Sequence, residues 1–400
     1  MLRTFFAAIS FIAPGIAVAD DDPQPATVVV AFNRETVVPL IVEGVRNRES
    51  GDLVTANDPV RIASISKLVM AIAALRLADE GKVDIHADIS DYLGWKVRAP
   101  GFPDAKVTLA QLLSHRSGLR DDAGYVIPLG ESLQAKLAEP AAWYPDAPPG
   151  EAPFEYANLG SPVAATVLEA ATGERYDRLI ERTVFAPLGV KACLNWIGCD
   201  EEMVARAVTL YRDTGEIARD DAADLPPNCT IPVAEGVECS LDDYVPGTNA
   251  SIFSPQGGVR IGMLDLAKIA QMLMAGPDTD FLTMEAHRAQ LMPIITQPLE
   301  PLADQDFFCA YGLGIQMIEQ PGRDCQDTLF ADGYQHFGHA GEAYGLRSGL
   351  WNADHTYVGV VYFTTAVPPR QSAEDQGGFD AREIALMARA QAMLEKIMPD

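Results

Sequence analysis

Arg61-Ile62-Ala63-Ser64-Ile65-Ser66-Lys67-Leu68-Val69-Met70 is the stretch on which the fold turns. It runs on through Ala71-Ile72-Ala73-Ala74-Leu75, then Arg76 to Glu80, and meets Gly81. The pattern predicts a helix. Ser64 stands where an N-cap or first-turn residue belongs, and Gly81 where a helix stops. From Leu68 to Leu75 the run is apolar on every side, so the helix is expected to be buried all round. Buried helices rarely carry a lysine on their first turn. Lys67 follows Ser64 by three residues and shares its helix face, whereas Ser66 points elsewhere. Desolvation lowers a lysine's pKa, and the neutral amine can then take the proton of a neighbouring hydroxyl. The helix N-terminus also favours negative charge developing near Ser64. A capping serine with a snorkelling lysine has the same local spelling, so the decision lies with the rest of the chain.

The chain has 400 residues, 48% of them hydrophobic, enough for one large domain or two interleaved ones. Its net charge of −26 repels nucleic acid and anionic membrane, which sets both aside as partners. Residues 1–19 read as a signal peptide: a basic start at Arg3, a short apolar run from Thr4 to Val18, and Ala17-Val18-Ala19 before Asp20. The apolar run is too short to span a bilayer, so an exported protein without stable membrane insertion is expected. Six cysteines fall in three close pairs, and neighbour pairing predicts disulfides 193–199, 229–239 and 309–325. No Cys-x-x-Cys or His-x-x-x-His spacing supports a zinc site in their place.

Residues 26–32 and 37–43 read as two strands joined at Asn33-Arg34-Glu35, with Pro39 marking the second as an edge or bulged strand. Val107 to Leu113 is a helix capped by Thr108. It leads into Ser114-His115-Arg116-Ser117-Gly118-Leu119, where His115 reads as a satisfied loop histidine. Phe154 to Ser161 contains Tyr156 and Asn158, two apart in a loop before a helix from Pro162 to Thr172. Further helices are expected over Tyr176–Val184 and Leu264–Ala275, the latter after a tight turn at Ser254 to Gly258. Strands return at Tyr311–Ile318, around Phe337 to Glu342, at Gly345–Asn352 and at Tyr357–Thr365. A last helix starts at Asp380, with Glu383 as its capping-box partner. Strands at both ends and helices between imply an α+β fold: one antiparallel sheet closed by both termini, flanked by helices, with an inserted mainly helical lobe. The expected organisation is an N-terminal α/β part over 20–105, the lobe over 106–304 and a C-terminal α/β part over 305–400.

Ser64-x-x-Lys67, Tyr156-x-Asn158 and His339-x-Gly341 occur in that order. From about residue 26 to 366 the chain resembles the serine β-lactamase and penicillin-binding-protein superfamily, in its class C β-lactamase-like branch. That branch also includes D-alanyl-D-alanine carboxypeptidases, D-aminopeptidases and esterases. The resemblance implies Ser64 as the nucleophile of an acyl-enzyme and Lys67 as its activating partner. It implies Tyr156 as the proton shuttle, and Asn158 as the holder of Lys67 and of the substrate amide. His339 stands where many relatives have lysine, at the edge of the strand lining the site. The oxyanion hole would be the backbone N–H groups of Ser64 and Glu342, just after Gly341. No metal or organic cofactor is implied, and the partner is a small-molecule or peptide substrate.

Two departures bear on that substrate. The middle of the third motif commonly carries threonine, whose hydroxyl binds a substrate carboxylate; here it is Ala340. The next position on that side of the strand is Glu342, an acid. Facing the pocket, Glu342 disfavours carboxylate substrates; paired with Arg347, it leaves the pocket charge unchanged. The expectation is an exported serine hydrolase that prefers substrates lacking a carboxylate. A β-lactamase or D-alanyl-D-alanine carboxypeptidase, and a non-catalytic binder of the same fold, are the alternatives.

Overall fold

In the computed structural model the described residues are 24–218, 229–276, 280–291, 307–308, 310–320, 325–353, 358–368 and 378–397. The expected signal segment 1–19 lies outside them. Seven strands form the main sheet: β1 (Thr27–Phe32), β2 (Val37–Glu43), β3 (Ala310–Tyr311), β4 (Gln316–Ile318), β5 (His336–Ala343), β6 (Leu346–Ala353) and β7 (Gly359–Thr364). Their order is β2-β1-β7-β6-β5-β4-β3, and every neighbouring pair is antiparallel. The expected closure is there: β1 from the start of the chain pairs with β7 from its end, Val30 opposite Val361. β2 is an edge strand, and its pairing slips between Val29 and Val30, opposite Pro39. A proline without N–H is tolerated at that position.

Residues of β1 alternate between two cores, as the pleat requires. Val28, Val30 and Phe32 face the core that also holds the helix α1 (Ile65–Asp79), while Val29 and Ala31 face the one that holds Leu386 and Met387 near the C-terminus. α1 is buried all round, as its composition demands: every residue from Ile65 to Leu75 is buried, and so is Leu77. Each Leu, Ile or Val so removed from water contributes about 1.5–3 kcal/mol. A helix so enclosed sets the position of the residues at its start. Two further helices, α2 (Gly160–Thr172) and α3 (Met263–Ala275), pack in the same core. The closing helix, α4 (Ala381–Ile397), opens on the expected capping box, with Asp380 N–H donating to Glu383 Oε2 at 3.1 Å.

Two expectations change. The single strand over Tyr311–Ile318 is a hairpin of β3 and β4, with Gly312 N–H donating to the Ile315 carbonyl at 2.7 Å. Gly314 turns the chain at φ 65°, where a Cβ would come 2.6 Å from Ala71 Cβ and 2.8 Å from the Lys67 carbonyl. The hairpin therefore seats directly on α1, and only glycine fits there. The helix over Tyr176–Val184 is a short α-helix, Tyr176–Ile180, that widens into a π turn at Glu181–Phe185.

Of the cysteines, Cys193 and Cys199 are bonded, with Cα atoms 5.2 Å apart. Cys325 is disulfide-bonded; Cys309, its expected partner, lies outside the described residues. Cys229 and Cys239 are not bonded to each other and meet as hydrogen-bonded thiols, contrary to the pairing expected for them. Among the described residues no helix is long and apolar enough to cross a membrane.

Candidate active site

Ser64 precedes α1 with helical backbone angles, φ −64° and ψ −11°, and its side chain makes no capping hydrogen bond. Its hydroxyl is thereby released from the capping role its position suggests. Ala63 before it is held at φ 46°, a left-handed conformation that costs a non-glycine residue about 1–3 kcal/mol. That strain turns the chain sharply into α1 and presents Ser64 to a cavity of about 1360 Å³. Ser66 takes no part: it is buried, and its Oγ accepts the Val259 N–H at 3.1 Å.

Lys67 is 2% exposed. Its Nζ donates to Ser64 Oγ at 3.1 Å, to Asn158 Oδ1 at 2.9 Å and to the Gln256 carbonyl at 3.3 Å. The tight turn at Ser254–Gly258 supplies that carbonyl. Burial pulls the Lys67 pKa down to about 7, partly opposed by the carboxylate of Asp121. An amine that half-titrates near neutrality, in contact with a serine hydroxyl, can act as its base. Tyr156 is also hydrogen-bonded to Ser64, and its ring lies 4.7 Å from Lys67 Nζ. Burial raises its pKa, so the phenol stays protonated and hands on a proton only in concert with another group.

Asp121 organises the second motif, a role for which the sequence offered no sign. Its Oδ2 accepts from Asn158 N–H and Asn158 Nδ2, both at 2.9 Å, and its Oδ1 accepts from Leu159 N–H at 2.9 Å. The Asn158 amide is thus oriented with its oxygen towards Lys67. His115, read from sequence as a satisfied loop residue, is buried behind Tyr156 with ring centroids 4.4 Å apart. Its Nδ1 accepts the Ala157 N–H at 3.2 Å. Burial and Lys67 hold its pKa well below the usual histidine range, so the ring is a neutral support for the Tyr156 loop.

β5 brings the third motif alongside. It pairs with β4 only through His336, Phe337 and Gly338, so its edge from 339 onward is not covered by β4. Ala340, Gly341 and Glu342 line the cavity with Ser64, Tyr156 and Asn158. Gly341 is required by close packing: a Cβ would lie 2.3 Å from Ser348 Oγ and 2.5 Å from the Ile62 carbonyl. That contact presses the strand against the segment leading to Ser64.

His339 departs from its expected place. It does not line the cavity; it is 1% exposed. Its Nδ1 lies 2.5 Å from the Ala340 carbonyl and its Nε2 2.8 Å from the Tyr311 hydroxyl. A carbonyl only accepts, so Nδ1 carries the proton and Nε2 accepts from Tyr311. Burial, reinforced by Lys67, lowers its pKa to about 3, so it offers no cation where a lysine would. Glu342 lines the cavity and also pairs with Arg347, whose Nη1 is 2.5 Å from Glu342 Oε1. Arg347 Nε lies 3.8 Å from Glu383 Oε2 as well. An aromatic wall completes the cavity: Phe308 stacks on Tyr156 at 4.3 Å and 8°, with Phe307 and Phe379 beside it.

A desolvated lysine and a tyrosine converging on one serine hydroxyl, beside an open strand edge, form an arrangement chemically capable of acyl transfer. The Beta-lactamase family model matches residues 13–383, and the chain belongs to that family. It is 27% identical over 156 residues to "Penicillin-binding protein 4" of Amycolatopsis lactamdurans, covering 38% of this chain and 39% of the relative. It is 32% identical over 140 residues to "D-alanyl-D-alanine-carboxypeptidase/endopeptidase AmpH" of Escherichia coli (strain K12), covering 33% and 35%. "Esterase EstB" of Burkholderia gladioli is 27% identical over 170 residues, covering 38% and 42%. The chain thus spans less than half the length of these curated relatives. Among solved structures, D-amino acid amidase from Ochrobactrum anthropi SV3 has the same fold, with a TM-score of 0.64 at 17% identity, covering 94% of this chain and 95% of that one.

Proposed function

We propose that this protein is an exported serine hydrolase that cleaves an ester or amide through an acyl-enzyme on Ser64, with a preference for substrates lacking a carboxylate. One observation carries the reading: Lys67 Nζ, desolvated to a pKa of about 7, donates to Ser64 Oγ at 3.1 Å at the edge of the cavity. Neutral Lys67 accepts the serine proton as Ser64 Oγ attacks the carbonyl carbon. The developing oxyanion is met by the N–H groups of Ser64 and Glu342, and Tyr156 relays the proton to the leaving alcohol or amine. Water then repeats the sequence to release the acid and free Ser64. Asn158, held by Asp121, keeps the Lys67 amine aimed throughout. A binder has no use for a lysine kept buried against a serine at the cost of its charge, which favours catalysis over a scaffold role.

The substrate preference rests on the third motif. Ala340 has no hydroxyl, His339 is neutral and turned away, and Arg347 is engaged by Glu342 and Glu383. Because Glu342 is paired, its effect is to occupy Arg347 rather than to repel a substrate anion. A carboxylate forgoes at least one charge-assisted hydrogen bond here, about 1.5–3 kcal/mol, or roughly ten- to a hundredfold in kcat/KM. Comparing turnover of a p-nitrophenyl ester and a cephalosporin by the wild type and Ser64→Ala tests both parts. Ester turnover that vanishes in the variant and exceeds cephalosporin turnover in the wild type supports the reading. A cephalosporin cleaved faster than the ester overturns the preference; ester turnover surviving in Ser64→Ala overturns the mechanism.

A further inference from the structure

We propose that Glu319, Asp332 and His336, away from the catalytic serine, form a binding site for one divalent transition-metal cation, with Zn2+ the best chemical match. One donor atom from each of the three lies within 4.8 Å of the other two. His336 is buried, its side chain 5% exposed, and Glu319 is largely covered at 10%. His336 Nδ1 and Glu319 Oε2 approach to 3.2 Å, yet neither makes a hydrogen bond, because the approach lacks hydrogen-bond geometry. The two donor atoms are buried, lie side by side and have no hydrogen-bond partner. Their separation suits two ligands of one ion: with Zn–N and Zn–O bonds near 2.0–2.2 Å, tetrahedral neighbours lie about 3.3 Å apart.

The donors are held for this purpose by their own neighbours. Glu319 Oε1 accepts the N–H groups of Phe330 at 3.1 Å and Ala331 at 2.6 Å, which aims Oε2 at the imidazole. The Phe330 ring stacks on His336 with centroids 4.1 Å apart and planes at 21°, which fixes the imidazole. Such outer contacts are how ligands to a metal are oriented. Asp332 is the third candidate ligand, and it would have to turn from Nε2, the other ring nitrogen, to reach an ion held by Nδ1. Its Oδ2 is 3.4 Å from His336 Nε2, and at 28% exposure its side chain has room to swing to the ion. Imidazole with two carboxylates is a mixed nitrogen and oxygen set that suits zinc better than calcium or magnesium. Two carboxylate ligands cancel the charge of a divalent ion, and an imidazole ligand adds none. A bound ion would tie the loop after β4 to the first residue of β5, three residues before His339. The scattered spacing, 319, 332 and 336, explains why no metal motif shows in the sequence.

The test is titration of the EDTA-treated full-length protein with ZnCl2, read by calorimetry, bound metal and melting temperature. The expected result is one Zn2+ per chain and a rise in Tm of about 3–6 °C at a hundredfold excess over Kd. His336→Gln and Glu319→Gln should each abolish the rise. Should these buried variants fail to fold, Asp332→Asn, at the exposed edge, should weaken Zn2+ binding at least tenfold. No binding overturns the proposal. So does binding that survives His336→Gln, which would place the ion elsewhere, for instance at the Cys229 and Cys239 thiols. So, too, does a Tm indifferent to Zn2+.

Discussion

Asp121→Asn isolates the residue that ties the second motif to the lysine. In the wild type one carboxylate oxygen accepts both Asn158 N–H and Asn158 Nδ2, while the other accepts Leu159 N–H. The substitution turns one of these acceptors into an NH2 donor. With the oxygen left on Leu159, two bonds from Asn158 are lost, each worth about 1.5–3 kcal/mol to a charged acceptor. Part of that loss destabilises the loop. The part that reaches the chemistry does so through the Asn158 Oδ1 to Lys67 bond at 2.9 Å. If one bond's worth is felt in the transition state, kcat/KM falls about ten- to a hundredfold. A second effect has a definite sign. Asp121 favours the charged form of Lys67 and raises its pKa against the larger effect of burial. Removing the anion lowers the pKa further, so the acid limb of the pH profile moves below its wild-type position near 7. The assay is kcat/KM on a p-nitrophenyl ester from pH 5 to 9, with circular dichroism to confirm the fold. A folded variant with an unmoved acid limb would refute the electrostatic role, and unchanged kcat/KM would refute the positioning role.

The wild-type profile itself follows from Lys67. The reactive form is the neutral amine, and its pKa is lowered to about 7, so kcat/KM should rise with pH through about 7 and level above it; a limb that falls through that range contradicts Lys67 as base. Gly341→Ala places a methyl 2.3 Å from Ser348 Oγ and 2.5 Å from the Ile62 carbonyl, and should cost about 1–3 kcal/mol in urea unfolding together with most of the activity; a fully active, equally stable variant would show that the strand does not press on the Ser64 segment. Ala340→Thr combined with Glu342→Ala restores a hydroxyl and leaves Arg347 with Glu383 as its one remaining named carboxylate partner, so cephalosporin turnover should rise tenfold or more relative to ester turnover; no gain would show that neither position meets the substrate.

Local features of the fold were legible in the sequence because they depend on neighbours. The buried helix after Ser64, the Thr108 cap, the edge placement of Pro39 and the Asp380–Glu383 box need only a few consecutive residues. The hairpin inside 311–318 was not legible, since Gly312 and Gly314 read as a strand until α1 is beside them and leaves no room for a Cβ. The site divides in the same way. Ser64 and Lys67 share one helical turn and could be paired on spacing. Asp121 is 37 residues from Asn158 and was indistinguishable from the other acids of a strongly acidic chain. His339 was placed at the right strand, but its tautomer and neutrality depend on burial and on the Tyr311 hydroxyl, 28 residues away. Cys229 and Cys239 were paired on spacing, and proximity did hold; the bond did not.

The most direct test of the central claim is covalent. The protein is incubated with a fluorophosphonate, digested, and the modified peptide is sequenced by mass spectrometry, with Ser64→Ala and Lys67→Met alongside. The account predicts a single phosphonyl adduct on Ser64, slowed by a hundredfold or more in Lys67→Met and absent in Ser64→Ala. An adduct on Ser66 or any other serine, or none while an ester is still being turned over, would contradict it.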